Sequence, residues 1–277
     1  MNPLRPLVRM MSSWPLVGPS IRRLRYEWKY RQLAYPKLVA AFARHFPDAR
    51  FMQIGANDGE QLDPLRREIL RREWHGVLVE PVPYVFKRLQ RNYGGNPRLT
   101  LMNVAVAEKS GSLPFYHLRE KGPDEQLPPW YDALGSFRKD VVLKHDKYIA
   151  DIASRVVCAE VPCLSFEDLC ARAGVKQLDM LQMDTEGYDY EIIRHIDFTR
   201  WRPALIIYEH LHFDAATQNA CEGTLRAAGY QLHREVMDTW CIDARATDPQ
   251  HAAWLADWNR IVSATPQSNP IDAGAVK

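Results

Sequence analysis

The sequence predicts an open α/β sheet, mostly parallel, with helices on both faces and an antiparallel hairpin closing one edge. Three observations carry this. Short apolar runs alternate with stretches of helical periodicity, the order that builds parallel strands with crossover helices. The run Phe51–Ile54 breaks at a glycine turn, Gly55-Ala56-Asn57-Asp58-Gly59, and glycine there lets backbone approach a ligand where a side chain would clash. Three apolar runs end in acids: Val77–Val79 at Glu80, Asp179–Met183 at Asp184 and Leu205–Tyr208 at Glu209. Ligands on open α/β sheets bind outside the carboxyl ends of the strands, so these acids should share one rim.

The elements follow in order. Residues from about Ile21 to Phe46 read as helical, with Leu33, Leu38, Val39, Phe42 and Phe46 near 3.6-residue spacing. Phe51–Ile54 is a strand, Gln61–Arg72 a helix with Leu62, Leu65, Ile69 and Leu70 inward, and Val77–Glu80 the next strand. Pro83–Tyr93 is a helix with proline in its first turn. Leu99–Asn103 is a third strand, and Leu113–His117 extends the sheet or forms an edge hairpin. Residues 118–150 mix glycines and prolines with Trp130, Tyr131 and Phe137; so long an insertion in a compact domain is a functional segment or a disordered one. Val156–Pro162 is strand-like, and Ser165 reads as an N-cap with Asp168 at N3. Leu178–Asp184 is a strand, Tyr188–Ile196 a helix, Ala204–Glu209 a strand, and Ala215–Ala228 a helix stopped by Gly229. Gln231–Glu235 and Thr239–Ala244 form the closing antiparallel pair, and His251–Val262 is a last helix before a polar tail. This divides the chain into a basic leader and helix (1–46), a main domain (47–248) holding the insertion or lid, and a C-terminal helix and tail (249–277).

Composition narrows the function. At 277 residues, 46% of them hydrophobic, the chain can bury a full core. A formal charge of +2 gives no footprint for nucleic acid. Five cysteines are odd in number and form no CxxC pair, which points to a reduced, cytoplasmic compartment. No apolar run approaches the roughly 20 residues of a transmembrane helix. Residues 1–31 carry seven Lys and Arg against Glu27, with Trp14, Ile21 and Trp28 among them. Two readings are open: peripheral contact with the inner face of an anionic membrane, or a solvated leader running into a helix packed on the main domain.

The glycine turn lacks both G-x-G-x-x-G and a P-loop lysine. A dinucleotide needs its pyrophosphate neutralised at a helix N-terminus; Asp58 would repel it there. S-adenosylmethionine has no phosphate and carries a sulfonium and an ammonium, so charge favours it over NAD. In this reading Glu80 accepts hydrogen bonds from the ribose, and the chain from Asn103 to Ala105 flanks the adenine. Asp184 and Glu186, one residue apart after a strand, can bind a substrate hydroxyl, orient a base or hold a metal; Glu186 could instead cap the next helix. If the strand continues past Glu209, His210 and His212 face the same way and supply a general base or, with Asp184, ligands for a divalent ion. Hydrogen-bonded histidines at a core edge are the plainer alternative.

Gln53-Ile54-Gly55-Ala56-Asn57-Asp58-Gly59, Val79-Glu80-Pro81, Asn103-Val104-Ala105, the run Leu181-Gln182-Met183-Asp184-Thr185-Glu186-Gly187-Tyr188-Asp189-Tyr190-Glu191, and Ile207-Tyr208-Glu209-His210 together resemble the FkbM methyltransferase family over roughly residues 50–245. The D-x-E-G-x-(D/E)-x-E pattern is the most specific part, and Gly135-Ser136-Phe137 looks like the family's short serine motif. The resemblance implies a Rossmann-like class I methyltransferase fold, a seven-stranded sheet of order 3-2-1-4-5-7-6, and S-adenosylmethionine-dependent O-methylation of a sugar, glycan or related hydroxyl. It implies cofactor contacts from Gly55, Asn57 and Glu80, and an acceptor side formed by Asp184, Glu186 and His210; Asp58, Gly59, Asn103 and Ala105 complete the expected cofactor contacts. It assigns no metal; a divalent ion is an open alternative. The rival readings are an NAD-dependent oxidoreductase and a non-catalytic module that binds cofactor or glycan.

Overall fold

The computed structural model describes residues 34–61, 63–245 and 248–265. The elements run α1 (Ala34–His45), β1 (Arg50–Ile54), α2 (Arg66–Arg71), β2 (His75–Val79), α3 (Pro83–Tyr93), β3 (Leu99–Met102), β4 (Ala105–Val106), β5 (Gly111–Leu118), a 3₁₀ turn (Pro129–Ala133), β6 (Gly135–Ser136), α4 (Lys139–Leu143), α5 (Ile152–Arg155), β7 (Val156–Leu164), α6 (Phe166–Arg172), β8 (Met180–Met183), α7 (Asp189–Ile193), β9 (Leu205–Glu209), α8 (Ala215–Ala227), β10 (Tyr230–Arg234), β11 (Asp238–Asp243) and α9 (Pro249–Ser263).

Seven strands form the main sheet in the order β3-β2-β1-β8-β9-β11-β10. The first five are parallel, while β11 runs antiparallel to both β9 and β10. Numbered within this sheet, that is the expected 3-2-1-4-5-7-6. Strands β1, β8 and β9 are apolar-rich and buried almost throughout, as strands covered on both faces must be. One face buries Leu38 and Phe42 of α1, Leu65, Ile69, Leu89 and Tyr93, and Trp254 and Trp258 of α9. The other buries Phe166, Leu169, Ile192, Ile193, Cys221 and Leu225 from α6, α7 and α8. The strand order reverses between β1 and β8, and there the carboxyl ends of β1, β2, β8 and β9 open a cleft.

Local sequence explains the boundaries. Ser165 caps α6, its hydroxyl accepting from Asp168 N; the Asp168 carboxylate takes the Ser110 hydroxyl and leaves the Ser165 amide to Ser110 Oγ. Gly229 follows α8 at φ +90°. The helix expected over Gln61–Arg72 begins only at Arg66. Asp58 Oδ1 accepts the amides of Glu60 and Gln61, and Asp63 Oδ1 accepts that of Leu65, so aspartates take the donors a helix would use. Leu65 and Ile69 are buried as expected, but Leu70 is 56% exposed.

The larger difference concerns β5. It does not extend the main sheet. It pairs antiparallel with β7 from Gly111↔Cys163 to Leu118↔Val156, within a second sheet of order β4-β7-β5-β6. Asn103 Nδ2 donates to the carbonyls of Glu80 (2.7 Å) and Pro81 (3.0 Å), so the chain is clipped back at the end of β3 and that strand remains the edge. The insertion is folded rather than loose. Leu118, Tyr131, Leu134, Val142, Ile149 and Ile152 form its own core.

The helix expected from about Ile21 is described from Ala34. Leu33, Leu62, the basic segment 1–31 with both readings of it, and the tail beyond residue 265 lie outside the described residues. Among the described residues no helix is long and apolar enough to cross a membrane.

Candidate active site

The cleft is lined by the β1 turn (Gly55, Ala56, Asn57), the end of β2 (Glu80), β4 and its approach (Val104, Ala105, Val106), the insertion (Gly135, Phe137) and the end of β8 (Gln182, Asp184, Thr185). Of the expected cofactor contacts, Gly55, Asn57, Glu80 and Ala105 lie on it; Asp58, Gly59 and Asn103 do not. Asp58 spends its carboxylate on the turn, and Asn103 is the clip described above.

The glycines have packing reasons. A Cβ on Gly55, at φ +82°, would lie 1.9 Å from the Asp184 carbonyl oxygen, so glycine lets the ends of β1 and β8 close together. On Gly59 it would strike the Tyr93 ring at 2.3 Å, where α3 crosses the turn.

Glu80 is 6% exposed, and its two oxygens accept from Asn57 N (3.0 Å) and Val82 N (2.8 Å). Burial pushes its pKa up to about 7, against the pull of those two amides. The same carboxylate therefore holds Asn57 in its left-handed conformation (φ +48°) and faces the cleft. Asp63, raised to about 6 by burial, receives Gln53 Nε2 and the Tyr93 hydroxyl. Gln53 Oε1 and Gln182 Oε1 are buried acceptors without a partner among the described residues, and both side chains line the cleft. Buried acceptors in that state cost stability until a donor arrives. The charged lining consists of Asp63, Glu80 and Asp184; among the described residues it includes no Lys, Arg or His.

The turn after β8 holds the acidic motif. Asp184 is exposed and lines the cleft. Glu186 sits at φ +52° before Gly187 at φ +92°, its carbonyl receives the Ser136 hydroxyl (2.8 Å), and its carboxylate lies 2.7 Å from His212 Nε2. It does not cap α7. Asp189 shapes the turn: fully buried, it accepts from Thr185 N, Thr185 Oγ1 and Glu209 N, tying β8 to β9. Burial raises its pKa to about 6. Ligating atoms of Asp184, Glu186 and Glu209 lie within 4.8 Å of one another, so two of the three strand-end acids meet as expected.

The histidines diverge. Strand β9 stops at Glu209, and Phe213 N bonds back to His210 O in a turn, so residues 210 and 212 no longer share a face. His210 Nδ1 meets Thr239 Oγ1 at 2.9 Å, away from the cleft lining, and burial, with Arg234 nearby, lowers its pKa to about 4. His212 instead joins Glu186. Sequence alone pairs the two histidines and misses Asp189, Gln53, Gln182 and His145. Asp189 carries one usable signal, an acid in the first turn of a helix behind a strand-end acid.

The expected aromatic lid is also distributed differently. Tyr131 is fully buried; Trp130 packs on His145 and Tyr148 at 5.4 and 5.7 Å. Phe137 alone of the three lines the cleft, against Phe115 and Tyr188.

The chain has recognisable relatives. A curated relative, the 2-O-methyltransferase NoeI of Sinorhizobium fredii, is 26% identical over 147 residues; the match spans 53% of this chain and 57% of NoeI, little more than half the relative's length. Among solved structures, the FkbM methyltransferase from Methylobacillus flagellatus is 14% identical with a TM-score of 0.44, covering 71% of this chain and 44% of that one. Aeropyrum pernix fibrillarin, solved with natively bound S-adenosyl-L-methionine, is 12% identical with a TM-score of 0.38, covering 76% of each chain. The family model of the methyltransferase FkbM domain matches residues 53–238, more than half of the chain. The chain belongs to the FkbM methyltransferase family.

Proposed function

We propose that the protein transfers a methyl group from S-adenosylmethionine to a hydroxyl of a sugar, glycan or related polyhydroxylated acceptor. The observation that carries the cofactor is the sign of the cleft: three carboxylates and no basic side chain among its described lining residues. A diphosphate would meet only repulsion there, whereas a sulfonium and an ammonium meet attraction. The fit extends to the polar atoms. Gln53 Oε1 and Gln182 Oε1 are acceptors that an ammonium would satisfy. Glu80 suits the ribose hydroxyls, and Val82, Val104, Ala105, Val106 and Phe115 offer an apolar wall for adenine.

When bound, S-adenosylmethionine supplies an electrophilic methyl carbon; the acceptor oxygen bonds to it as the carbon–sulfur bond breaks, and the electron pair stays on sulfur. The chain's own residues hold and deprotonate the acceptor. Asp184 is the carboxylate at the cleft wall beside Glu186 and Glu209, and it takes the proton from the hydroxyl. Beyond it, Arg138, Lys144, His212, Phe213, Asp214 and Thr217 line a polar groove with one aromatic face, suited to a polyhydroxylated acceptor. NoeI's activity, 2-O-methylation, supports hydroxyl chemistry. Asp184→Asn is expected to lower kcat about 100-fold and cofactor affinity far less, because Asp63 and Glu80 keep the cleft acidic. Equal losses in both would move Asp184 to the cofactor side.

Glu80 gives the cofactor reading a pH signature. Its folded-state pKa, about 7, lies above the usual carboxylate value. Its contribution to stability is therefore fully present below the unfolded pKa and is lost as pH rises through about 7. Ribose hydroxyls prefer the ionised carboxylate, so S-adenosylmethionine affinity should rise with pH up to about 7 and then level off. The check is calorimetry across pH 5.5–8.5 (roughly one unit or more either side of that value), with Glu80→Gln flattening the profile. A profile that falls with pH contradicts the assignment.

A further inference from the structure

Three side chains from distant parts of the chain converge beside the acidic wall. Glu186 comes from the turn after β8, His212 from the loop after β9, and His145 from the segment following α4 in the insertion. Each offers a ligating atom, and these lie within 4.8 Å of one another. His212 Nε2 and Glu186 Oε2 are 2.7 Å apart, and the two imidazole rings are 5.8 Å apart. His145 is 4% exposed and Glu186 8%. His145 Nδ1 lies 3.3 Å from the Val142 carbonyl oxygen. A carbonyl can only accept, so in the tautomer with the proton on Nδ1 that nitrogen donates to Val142 and Nε2 is the ligating atom. This is the outer partner that orients a metal-ligating histidine.

One proton satisfies a carboxylate–imidazole pair. Two imidazoles and a carboxylate whose ligating atoms lie within 4.8 Å of one another gather three potential ligands in a desolvated site, which a cation among them would bridge. Glu186 also belongs to the group with Asp184 and Glu209, so negative charge lies on the far side as well. We propose that His145, Glu186 and His212 bind a first-row divalent transition-metal ion at the acceptor side of the cleft. Two nitrogens and one carboxylate suit Mn²⁺, Fe²⁺, Co²⁺ or Zn²⁺ rather than Mg²⁺ or Ca²⁺. Three protein ligands leave positions open. The acceptor hydroxyl takes one of them beside Asp184; coordination lowers its pKa, and the proton leaves to the Asp184 carboxylate. Because His145 belongs to the insertion, the ion also fastens that segment over the strand ends. The acceptor's part in this rests on the methyl-transfer reading; the metal site does not.

The test uses the full chain, stripped with chelator and then titrated with Zn²⁺ alone by calorimetry and with Co²⁺ alone by visible absorption. One equivalent of each should bind, and Co²⁺ should shift the N–H proton resonances of coordinated imidazoles in the wild-type protein. His145→Asn and His212→Asn should each weaken Zn²⁺ by at least about 100-fold, the upper end of what losing an outer-sphere partner alone costs. S-adenosylmethionine affinity in both variants should stay within about twofold, as expected for separate sites. The shifted resonances report the ligands even if a variant folds poorly. Failure of the wild-type protein to bind Zn²⁺ or Co²⁺, absence of imidazole from the Co²⁺ shell, or unchanged Zn²⁺ affinity in both variants overturns the site. A protein that binds S-adenosylmethionine but no metal loses this inference and keeps the function; one that binds Zn²⁺ but no S-adenosylmethionine does the reverse.

Discussion

Glu80→Ala is expected to lower S-adenosylmethionine affinity by more than about 1,000-fold, a loss of at least about 4 kcal/mol. Two effects combine. The ribose hydroxyls lose an acceptor, and a hydrogen bond to a charged group contributes roughly 1.5–3 kcal/mol. The amides of Asn57 and Val82, now bonded to the two carboxylate oxygens, are left without partners, at about 1–3 kcal/mol each where they remain buried. The left-handed Asn57 then has nothing to hold it, and the turn that shapes the cleft relaxes. Glu80→Gln should fall between, because its amide oxygen can accept from one backbone N–H while its NH₂ opposes the other. Calorimetric titration of both variants, with thermal midpoints recorded to separate lost binding from lost fold, checks this. Wild-type affinity in Glu80→Ala removes Glu80 from the cofactor site.

Gly55→Ala is expected to destabilise the protein by roughly 2–5 kcal/mol, combining the left-handed backbone penalty with overpacking. The added methyl would stand 1.9 Å from a backbone oxygen of Asp184, and backbone cannot swing aside as a flexible side chain can. Strands β1 and β8 would have to part at the switch point, moving Asp184 relative to Glu80. Gly95 is the control, with nothing within 4 Å of an added methyl, so Gly95→Ala should shift the unfolding midpoint little. Equal chemical-denaturation midpoints for the two variants would show that the close approach is not needed.

The main sheet is legible in the sequence where physics is local. Phe51–Ile54 and Leu205–Tyr208 are short apolar runs bounded by turn chemistry, and a strand buried on both faces has little other way to be written. Glu80 and Asp184 reach the same cleft because a parallel sheet sends all its carboxyl ends to one side. What fails depends on distance or on a continuation. The partner of β5 is β7, whose paired residues lie 38 (Leu118↔Val156) to 52 (Gly111↔Cys163) positions further on, and no alternation within Gly111–Leu118 names it. Pairing His210 with His212 requires a longer strand than β9 provides. That Gly55 also admits the Asp184 backbone is visible only after β8 is docked. His145 gives no signal at all, since only the fold of the insertion brings it to Glu186 and His212.

The pocket's charge is the claim on which the rest depends, and titrating the full chain with S-adenosylmethionine and, separately, with NADH in a calorimeter tests it most directly. The account predicts saturable binding of S-adenosylmethionine at one site per chain, competed by S-adenosylhomocysteine, and no heat from NADH. Saturable NADH binding together with silence from S-adenosylmethionine would contradict it.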